Sequence, residues 1–184
     1  RQSTSPQPLP KAFAPWMATG YRQLTAGPSK FEIVGPSPAG GLSSTGADMA
    51  KFMIAHLNQG AGLMKPETAR MMHDTPLTIL PPLNRMELGF FETNINGRQV
   101  IGHLGDTQLF HTALHLFMNE NIGIYMSFNA TGEQASVGAV RRALFEKFAE
   151  DSFDQPTFAY AYPAEVSPLS RANDADPFLT DRVE

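Results

Sequence analysis

The chain has 184 residues, of which 42% are hydrophobic and 17% are charged, so it can bury a core and is not expected to be disordered. Its 14 Lys and Arg against 18 Asp and Glu give a formal charge of −4 without a basic cluster, which argues against a nucleic-acid-binding surface. Cysteine is absent, which excludes disulfides and a cysteine nucleophile, and no apolar run approaches the roughly 20 residues of a membrane-spanning helix.

Residues 1–40 contain seven prolines and no sustained hydrophobic periodicity. Because proline fixes φ and removes a backbone donor, this stretch is predicted to be an irregular segment that runs over the rest of the fold, with short turns near residues 12–21. A start at Arg1, without Met or a signal peptide, is typical of a fragment or a processed product.

Two helices are predicted next. The first begins at Ser44 or Thr45, with Asp48 three residues after Thr45 as in a relaxed capping box, and it ends at glycines 60 and 62. Its apolar face consists of Met49, Phe52, Met53 and Leu57. The second helix spans Pro66–His73 and is expected to turn Met71 and Met72 inward.

From about residue 86 the pattern changes to strands. Leu88–Ile95 and Arg98–His103 flank Asn96-Gly97, which is typical of a two-residue hairpin turn. Thr112–Met118 and Ile122–Phe128 form a second predicted hairpin. The result is an antiparallel sheet of about four strands.

A last helix is predicted over Glu133–Glu150, and its apolar stripe is expected to pack against the sheet. The stripe consists of Val137, Val140, Leu144, Phe145 and Phe148. These elements give residues 41–152 an α+β character and are expected to form part of a domain, followed by an irregular tail or linker at 153–184.

The residue spacing argues against a metal site, a phosphate-binding loop and a nucleophile elbow. His111 and His115 lie four residues apart on one strand, roughly 13 Å, which is too far to share a metal ion. His56 and His73 belong to different helices and are interpreted as surface or boundary residues. Gly60-Ala61-Gly62 lacks the third glycine of a phosphate loop, and the prolines on both sides of Ser37 prevent a nucleophile elbow. No metal or cofactor is therefore expected.

The remaining candidate is the stretch Gly102–Thr107 at the end of a predicted strand. A histidine at a strand end is more often structural than functional. Glycines on both sides of it allow another chain or a ligand to approach the backbone closely, and free N–H groups of an edge strand can hold a carbonyl oxygen.

At this point the sequence resembles a known family. Pro38–Thr45 followed by Asp48–Phe52 resembles the "PAGGL-x-ST-x-x-D-[ML]-A-[RK]-F" segment of serine hydrolases related to beta-lactamases. Gly102–Thr107 with Phe110–Phe117 resembles their "GH-x-G-[GD]-T…FH…LHLF" strand pair, and Ile122–Asn129 the strand that follows. The family includes class C beta-lactamases, D-alanyl-D-alanine carboxypeptidases and similar esterases, and the resemblance covers about residues 7–150.

The resemblance implies roles for three residues. His103 and Gly105 take the outer positions of the family's Lys-Thr-Gly or His-x-Gly motif, so His103 would face the substrate, and the backbone N–H of Asp106 would be an oxyanion-hole donor. Leu104 replaces a smaller residue. His111 and His115 are expected at the cleft rim or on the sheet surface.

The family's nucleophile motif Ser-x-x-Lys and its Tyr-x-Asn motif are both absent from the chain. The resemblance therefore implies the C-terminal portion of a serine hydrolase of the beta-lactamase/transpeptidase-like fold, which would act through an acyl-enzyme on a small ester, amide or peptide and need no cofactor. Its expected partner is its own N-terminal half or a second copy, and its expected location is the periplasm or the cell exterior. Two alternatives stay open: a non-catalytic binding or scaffold module, and a complete hydrolase within these residues.

Overall fold

The computed structural model describes residues 5–23, 25, 27–35, 39–75, 85–95, 97–132, 136–150, 161–163, 171–172 and 179–181. The chain divides into two units, Arg1–Val137 and Gly138–Glu184. Within the described ranges, no helix combines the length and the apolar character needed to cross a membrane.

The N-terminal segment is mostly irregular where it is described. Strand β1 (Ser5–Pro6) pairs antiparallel with β2 (Leu42–Ser43), and a single 3-10 helix covers Ala14–Trp16, inside the region where short turns are predicted. Pro36, Ser37 and Pro38, including the serine considered as a nucleophile, lie outside the described residues.

The first two helices agree with their sequence signals. Helix α1 (Gly46–Leu57) begins after Thr45, whose side chain accepts a hydrogen bond of 3.3 Å from the backbone N–H of Asp48, so the predicted cap is confirmed. Helix α2 spans Pro66–Asp74. Met72 packs against the core as expected, whereas Met71 is 53% exposed, so its predicted inward position is wrong.

A four-stranded antiparallel sheet follows, in the order β3-β4-β5-β6. Its strands are β3 (Phe91–Glu92), β4 (Val100–Asp106), β5 (His111–Phe117) and β6 (Ile122–Phe128). The predicted four-stranded sheet and α+β class are confirmed.

The first strand of the first hairpin, β3, is shorter than the predicted strand Leu88–Ile95. Ile95 and Arg98 pair across the turn, whose Gly97 has φ +75°, while Asn96 lies outside the described residues. Strand β3 contains only two residues, because Gly89 at φ +84° turns the chain back so that Met86 pairs with Phe91.

Helix α1 and the sheet build the main core. Met53 of α1, Phe90, and three sheet residues form a buried cluster, and the sheet residues are Ile101, Leu114 and Leu116. Met49 and Leu57 pack against this cluster, while Phe52 is 36% exposed. The opposite face of the sheet is also buried, at Val100, Ala113, Phe117 and Met126.

The C-terminal unit contains elements that the sequence predicts only in part. Helix α3 spans Val137–Glu150, while residues 133–135 of the predicted helix lie outside the described residues. Packing of its stripe against the sheet stays a prediction. Three short strands follow, namely β7 (Ala161–Pro163), β8 (Arg171–Ala172) and β9 (Leu179–Asp181), and they form a sheet in the order β7-β9-β8 that was not predicted.

The contact between α1 and β6 generates a first prediction. A Cβ added to Gly123 would lie 3.1 Å from the Met53 Cβ and 3.0 Å from its Sδ, so a larger side chain forces the helix away from the sheet. We expect Gly123→Val to lower the free energy of unfolding by about 1–3 kcal/mol, measured by urea denaturation. Gly46→Ala, where an added Cβ meets nothing within 4 Å, is the control and should stay within about 0.5 kcal/mol; equal losses in both variants would contradict the close packing of α1.

Candidate active site

The candidate site lies on β4, which pairs along its whole length with one neighbouring strand and over only two residues with the other. All seven residues of β4 pair with β5, from Val100 opposite Phe117 to Asp106 opposite His111. On the other side β3 pairs only with Ile101 and Gly102. Among the described residues, the second half of β4 therefore forms an edge of the sheet.

The direction of the backbone groups on β4 follows from one hydrogen bond. The Thr93 N–H donates to the Val100 carbonyl at 2.8 Å, so the backbone polar groups of Val100 point toward β3. Because these groups alternate sides along a strand, those of Leu104 and Asp106 point to the same side, past the last residue that β3 covers. The Asp106 N–H is thus directed toward this edge of the sheet and away from β5.

His103 is distinguished from the other histidines by its exposure. Of the five histidines in the chain, His103 is exposed and the other four are buried, with exposed fractions of 1% to 7%: His56, His73, His111 and His115. The His103 ring lies 5.5 Å from that of Phe91 on β3, at an angle of 46°. The imidazole is therefore available to solvent and held against one aromatic side chain.

The two glycines that flank His103 are required by close contacts with β5. A Cβ at Gly102 would overlap the carbonyl oxygen of Leu114, which is fixed in the neighbouring strand. A Cβ at Gly105 would lie 2.5 Å from the Thr112 Oγ1, which is a side-chain atom. The glycines thus set the spacing between β4 and β5 on both sides of His103.

The turn after β4 is fixed by a chain of polar groups. The His111 Nδ1 lies 2.7 Å from an Asp106 carboxylate oxygen, and its Nε2 lies 3.2 Å from the Thr131 hydroxyl. That hydroxyl also lies 3.1 Å from the Gln108 carbonyl, to which it can donate. The ring contacts Asp106 through Nδ1 and Thr131 through Nε2, so it ties the end of β4 to the residues that follow β6.

Residues of the N-terminal segment also form hydrogen bonds with this turn. The Glu32 carboxylate accepts hydrogen bonds from the backbone N–H groups of Gln108 and Leu109 at 3.1 and 3.2 Å. The Arg22 guanidinium donates to the Gln108 side chain at 2.6 Å. Two distant parts of the sequence therefore fix the position of Asp106.

The interpretation of His56 and His73 as surface or boundary residues is wrong, because their side chains are 1% and 5% exposed. His111 and His115 are 7% and 5% exposed, so neither lies on the sheet surface, while their predicted place at a cleft rim stays a prediction. The His56 Nδ1 lies 2.9 Å from the His73 Nε2, and burial lowers the pKa of both rings. The two rings come from different helices, so the spacing of residues along the sequence does not reveal that they are in contact.

Sequence reasoning also missed a group of charged residues at β3, in which two buried carboxylates face a partly exposed arginine. Arg85 donates from its Nε to the Glu92 carboxylate at 2.9 Å, and this hydrogen bond lowers the pKa of Glu92. Glu87 is 0% exposed, and burial raises its pKa although the Arg85 guanidinium lies 3.6 Å away. The Pro-rich neighbourhood gave no signal for this group, because it depends on the turn at Gly89.

Within the described ranges, no three His, Asp or Glu side chains are grouped so that they could hold a metal ion. The arrangement on β4 instead offers an exposed imidazole and a backbone donor at a strand edge. Such groups can position a carbonyl compound and stabilise negative charge on its oxygen.

Comparison with known proteins gives a family match over most of the chain. The family model described as "Beta-lactamase" matches residues 2–147. A solved structure, a D-stereospecific amidohydrolase from Streptomyces sp., is similar over 49% of this chain and 26% of its own, with 26% identity and a TM-score of 0.41.

Shorter matches relate the chain to lysine–tRNA ligases. That of Streptococcus agalactiae serotype V is 53% identical over 49 residues, covering 27% of this chain and 10% of the ligase. That of Photorhabdus laumondii subsp. laumondii is 58% identical over 48 residues, covering 26% of this chain and 10% of the ligase. The chain thus spans about a tenth of the length of these curated relatives.

The glycines on β4 give a prediction about the integrity of the site. Gly102→Ala should lower the free energy of unfolding by at least about 2 kcal/mol, because the overlap involves a backbone oxygen that cannot rotate away. Gly105→Ala should cost less, and removing the contact in Gly105→Ala with Thr112→Ala should recover part of that loss. Urea denaturation of the four proteins measures this, and a Gly102→Ala variant as stable as the parent would refute the close strand contact.

Proposed function

Because the chain belongs to the beta-lactamase family, we propose that it is the C-terminal portion of a serine hydrolase that acts through an acyl-enzyme. Its substrate class is an ester, an amide or a peptide. The nucleophile would be supplied by a Ser-x-x-Lys motif outside these residues, because no serine in the chain has a lysine three positions later.

The observation that carries the proposal is the edge of β4. This strand carries His103, the exposed histidine of the chain, and, three residues further on, the Asp106 N–H, which is directed away from β5. A substrate lying along this edge would meet the imidazole and the backbone donor together. The match over residues 2–147 supports reading this edge as one wall of the family's active site.

The chemistry divides between the two parts of the enzyme. The serine hydroxyl would add to the substrate carbonyl and lose its proton to a base, and the carbonyl oxygen would become negatively charged. The Asp106 N–H would donate to that oxygen, which is typically worth roughly 3 kcal/mol in the transition state. The leaving group would then depart, and water would release the acyl group from the serine.

His103 bears on the choice of substrate. A lysine at this position would carry a permanent positive charge, whereas imidazole can be neutral and can either donate or accept a hydrogen bond. Strong capture of a beta-lactam carboxylate is therefore less favoured than hydrolysis of an ester or a peptide. Leu104, the next residue on β4, is 37% exposed and would narrow the space along the strand on the opposite face.

Exposed apolar side chains support association with a further part of the enzyme or with a second copy. In the N-terminal unit Trp16 is 82% exposed, Ile33 73% and Leu42 60%. Where such side chains lie together, they form a surface to which another chain commonly binds. The ligase activity of the shorter matches is not proposed, since about nine tenths of those enzymes have no counterpart here.

A non-catalytic binding or scaffold module is the alternative, and the absence of Ser-x-x-Lys from the sequence favours it. Such a module would keep the β4 edge for binding. It would hydrolyse nothing, whatever sequence precedes it.

Hydrolysis of p-nitrophenyl butyrate separates the two functions. We expect no turnover by the chain alone, and turnover when it is joined to its upstream coding sequence. In the longer polypeptide His103→Ala should lower kcat/KM by about 100-fold, because the imidazole would contact the reacting substrate. Asn119→Ala, in the exposed turn at the other end of the sheet, is the control and should change little.

If the longer polypeptide does not hydrolyse p-nitrophenyl butyrate, the binding module is favoured. Full activity in His103→Ala would remove His103 from the site while leaving the family's chemistry in place.

A further inference from the structure

A pair of buried histidines lies in the core, away from the edge of β4. His56 of α1 and His73 of α2 are 1% and 5% exposed, and their rings meet through the His56 Nδ1 and the His73 Nε2 at 2.9 Å. This is a hydrogen bond between two buried imidazoles, and it joins the two helices directly.

The geometry fixes the protonation of the pair. One of the two facing nitrogens must donate and the other must accept, so at least one ring is neutral. The His56 Nε2 has no hydrogen-bond partner within the described residues and is buried. An unpaired acceptor costs less than an unpaired N–H, so the arrangement favours His56 as the donor through Nδ1, with both rings neutral.

The surroundings offer little to a positive charge. The His56 ring packs against Phe52 at 4.4 Å and Phe90 at 5.2 Å, and the His73 ring packs against Phe90 at 5.5 Å. Asp74 of α2 is the charged neighbour that favours a charged His73, and it is outweighed by burial. The segment that carries Phe90 adds Arg85, Glu87 and Glu92, which are paired among themselves, and on α1 Asp48 pairs with Lys51.

We propose that the hydrogen bond between His56 and His73 is an acid-sensitive link between α1 and α2. At neutral pH it holds both helices against Phe90. When both rings are protonated, two N–H groups face each other inside an apolar environment, the hydrogen bond is lost, and α2 is released. No part of this rests on the proposed hydrolase function.

The sign of the pH dependence follows from burial. Burial lowers the pKa of both rings from the ordinary value of 6.5, so the unfolded chain takes up protons first as the pH falls. The stability that the pair confers is complete above about pH 6.5 and is lost below it. Glu87 acts in the opposite direction, because burial raises its pKa and its protonation in the folded state favours that state.

The release would also reach the β4 edge. Phe90, which both rings contact, directly precedes Phe91, and the Phe91 ring lies against His103. Loss of the hydrogen bond between the two rings would therefore change the packing next to Phe91. Acidification is expected to loosen α2 first and the environment of His103 with it.

The test compares urea unfolding midpoints of the full chain at pH 7.5 and pH 5.5. In His56→Asn with His73→Gln, the two amides occupy the places of Nδ1 and Nε2, so the hydrogen bond can persist without titrating. We expect the wild type to lose stability at pH 5.5 and the double variant to lose less than half as much. His103→Gln removes an exposed histidine and should lose as much as the wild type.

A second measurement on the wild type decides the matter if the double variant does not fold. Amide hydrogen exchange in α2, corrected for its intrinsic pH dependence, should become about tenfold faster relative to β5 between pH 7.5 and 5.5. Equal losses in the double variant and the wild type would overturn the proposal. So would unchanged protection of α2 while both rings titrate near pH 6.5 by NMR.

Discussion

The antiparallel ladder between β4 and β5 is the constraint on which the rest of the structure depends. Seven cross-strand pairs fix β4 along its whole length, and the two glycines beside His103 allow the strands to approach. On the other side, β3 pairs with β4 only at Ile101 and Gly102. This asymmetry gives β4 a rigid half inside the sheet and an edge that faces outward, which is a suitable place for a site that must be both fixed and accessible.

The end of β4 is held by groups that converge from far apart in the chain. Asp106 is bonded to His111, His111 to Thr131, and the turn between the strands is held by Glu32. Each contact is modest by itself, but together they fix one backbone N–H relative to one imidazole. The N-terminal segment therefore has a structural role at the site although it contributes little regular structure.

Local signals in the sequence predicted most elements. Thr45 and Asp48 marked the start of α1 because a cap needs only residues three positions apart, and the turn with Gly97 marked a hairpin for the same reason. The family resemblance was confirmed by the match over residues 2–147. Its assignment of roles to His103, Gly105 and Asp106 stays a prediction, although the structure places all three on β4.

What the sequence did not reveal depends on long-range partners. His56 and His73 are ordinary residues of two separate helices until folding brings their rings to 2.9 Å. The burial of Glu87 depends on the turn that Gly89 permits, and the same turn shortens β3. Polar residues of this kind are predicted poorly, because their cost or benefit is set by neighbours that periodicity does not identify.

The most direct test of the account is to find where an acyl-enzyme forms. The longer polypeptide, with the native upstream sequence, would be treated with a fluorophosphonate and the modified residue mapped by peptide mass spectrometry. The account predicts one adduct, on a serine upstream of Arg1 that is followed three residues later by lysine. An adduct on any serine within residues 1–184 would contradict it, because the nucleophile would then lie inside this chain.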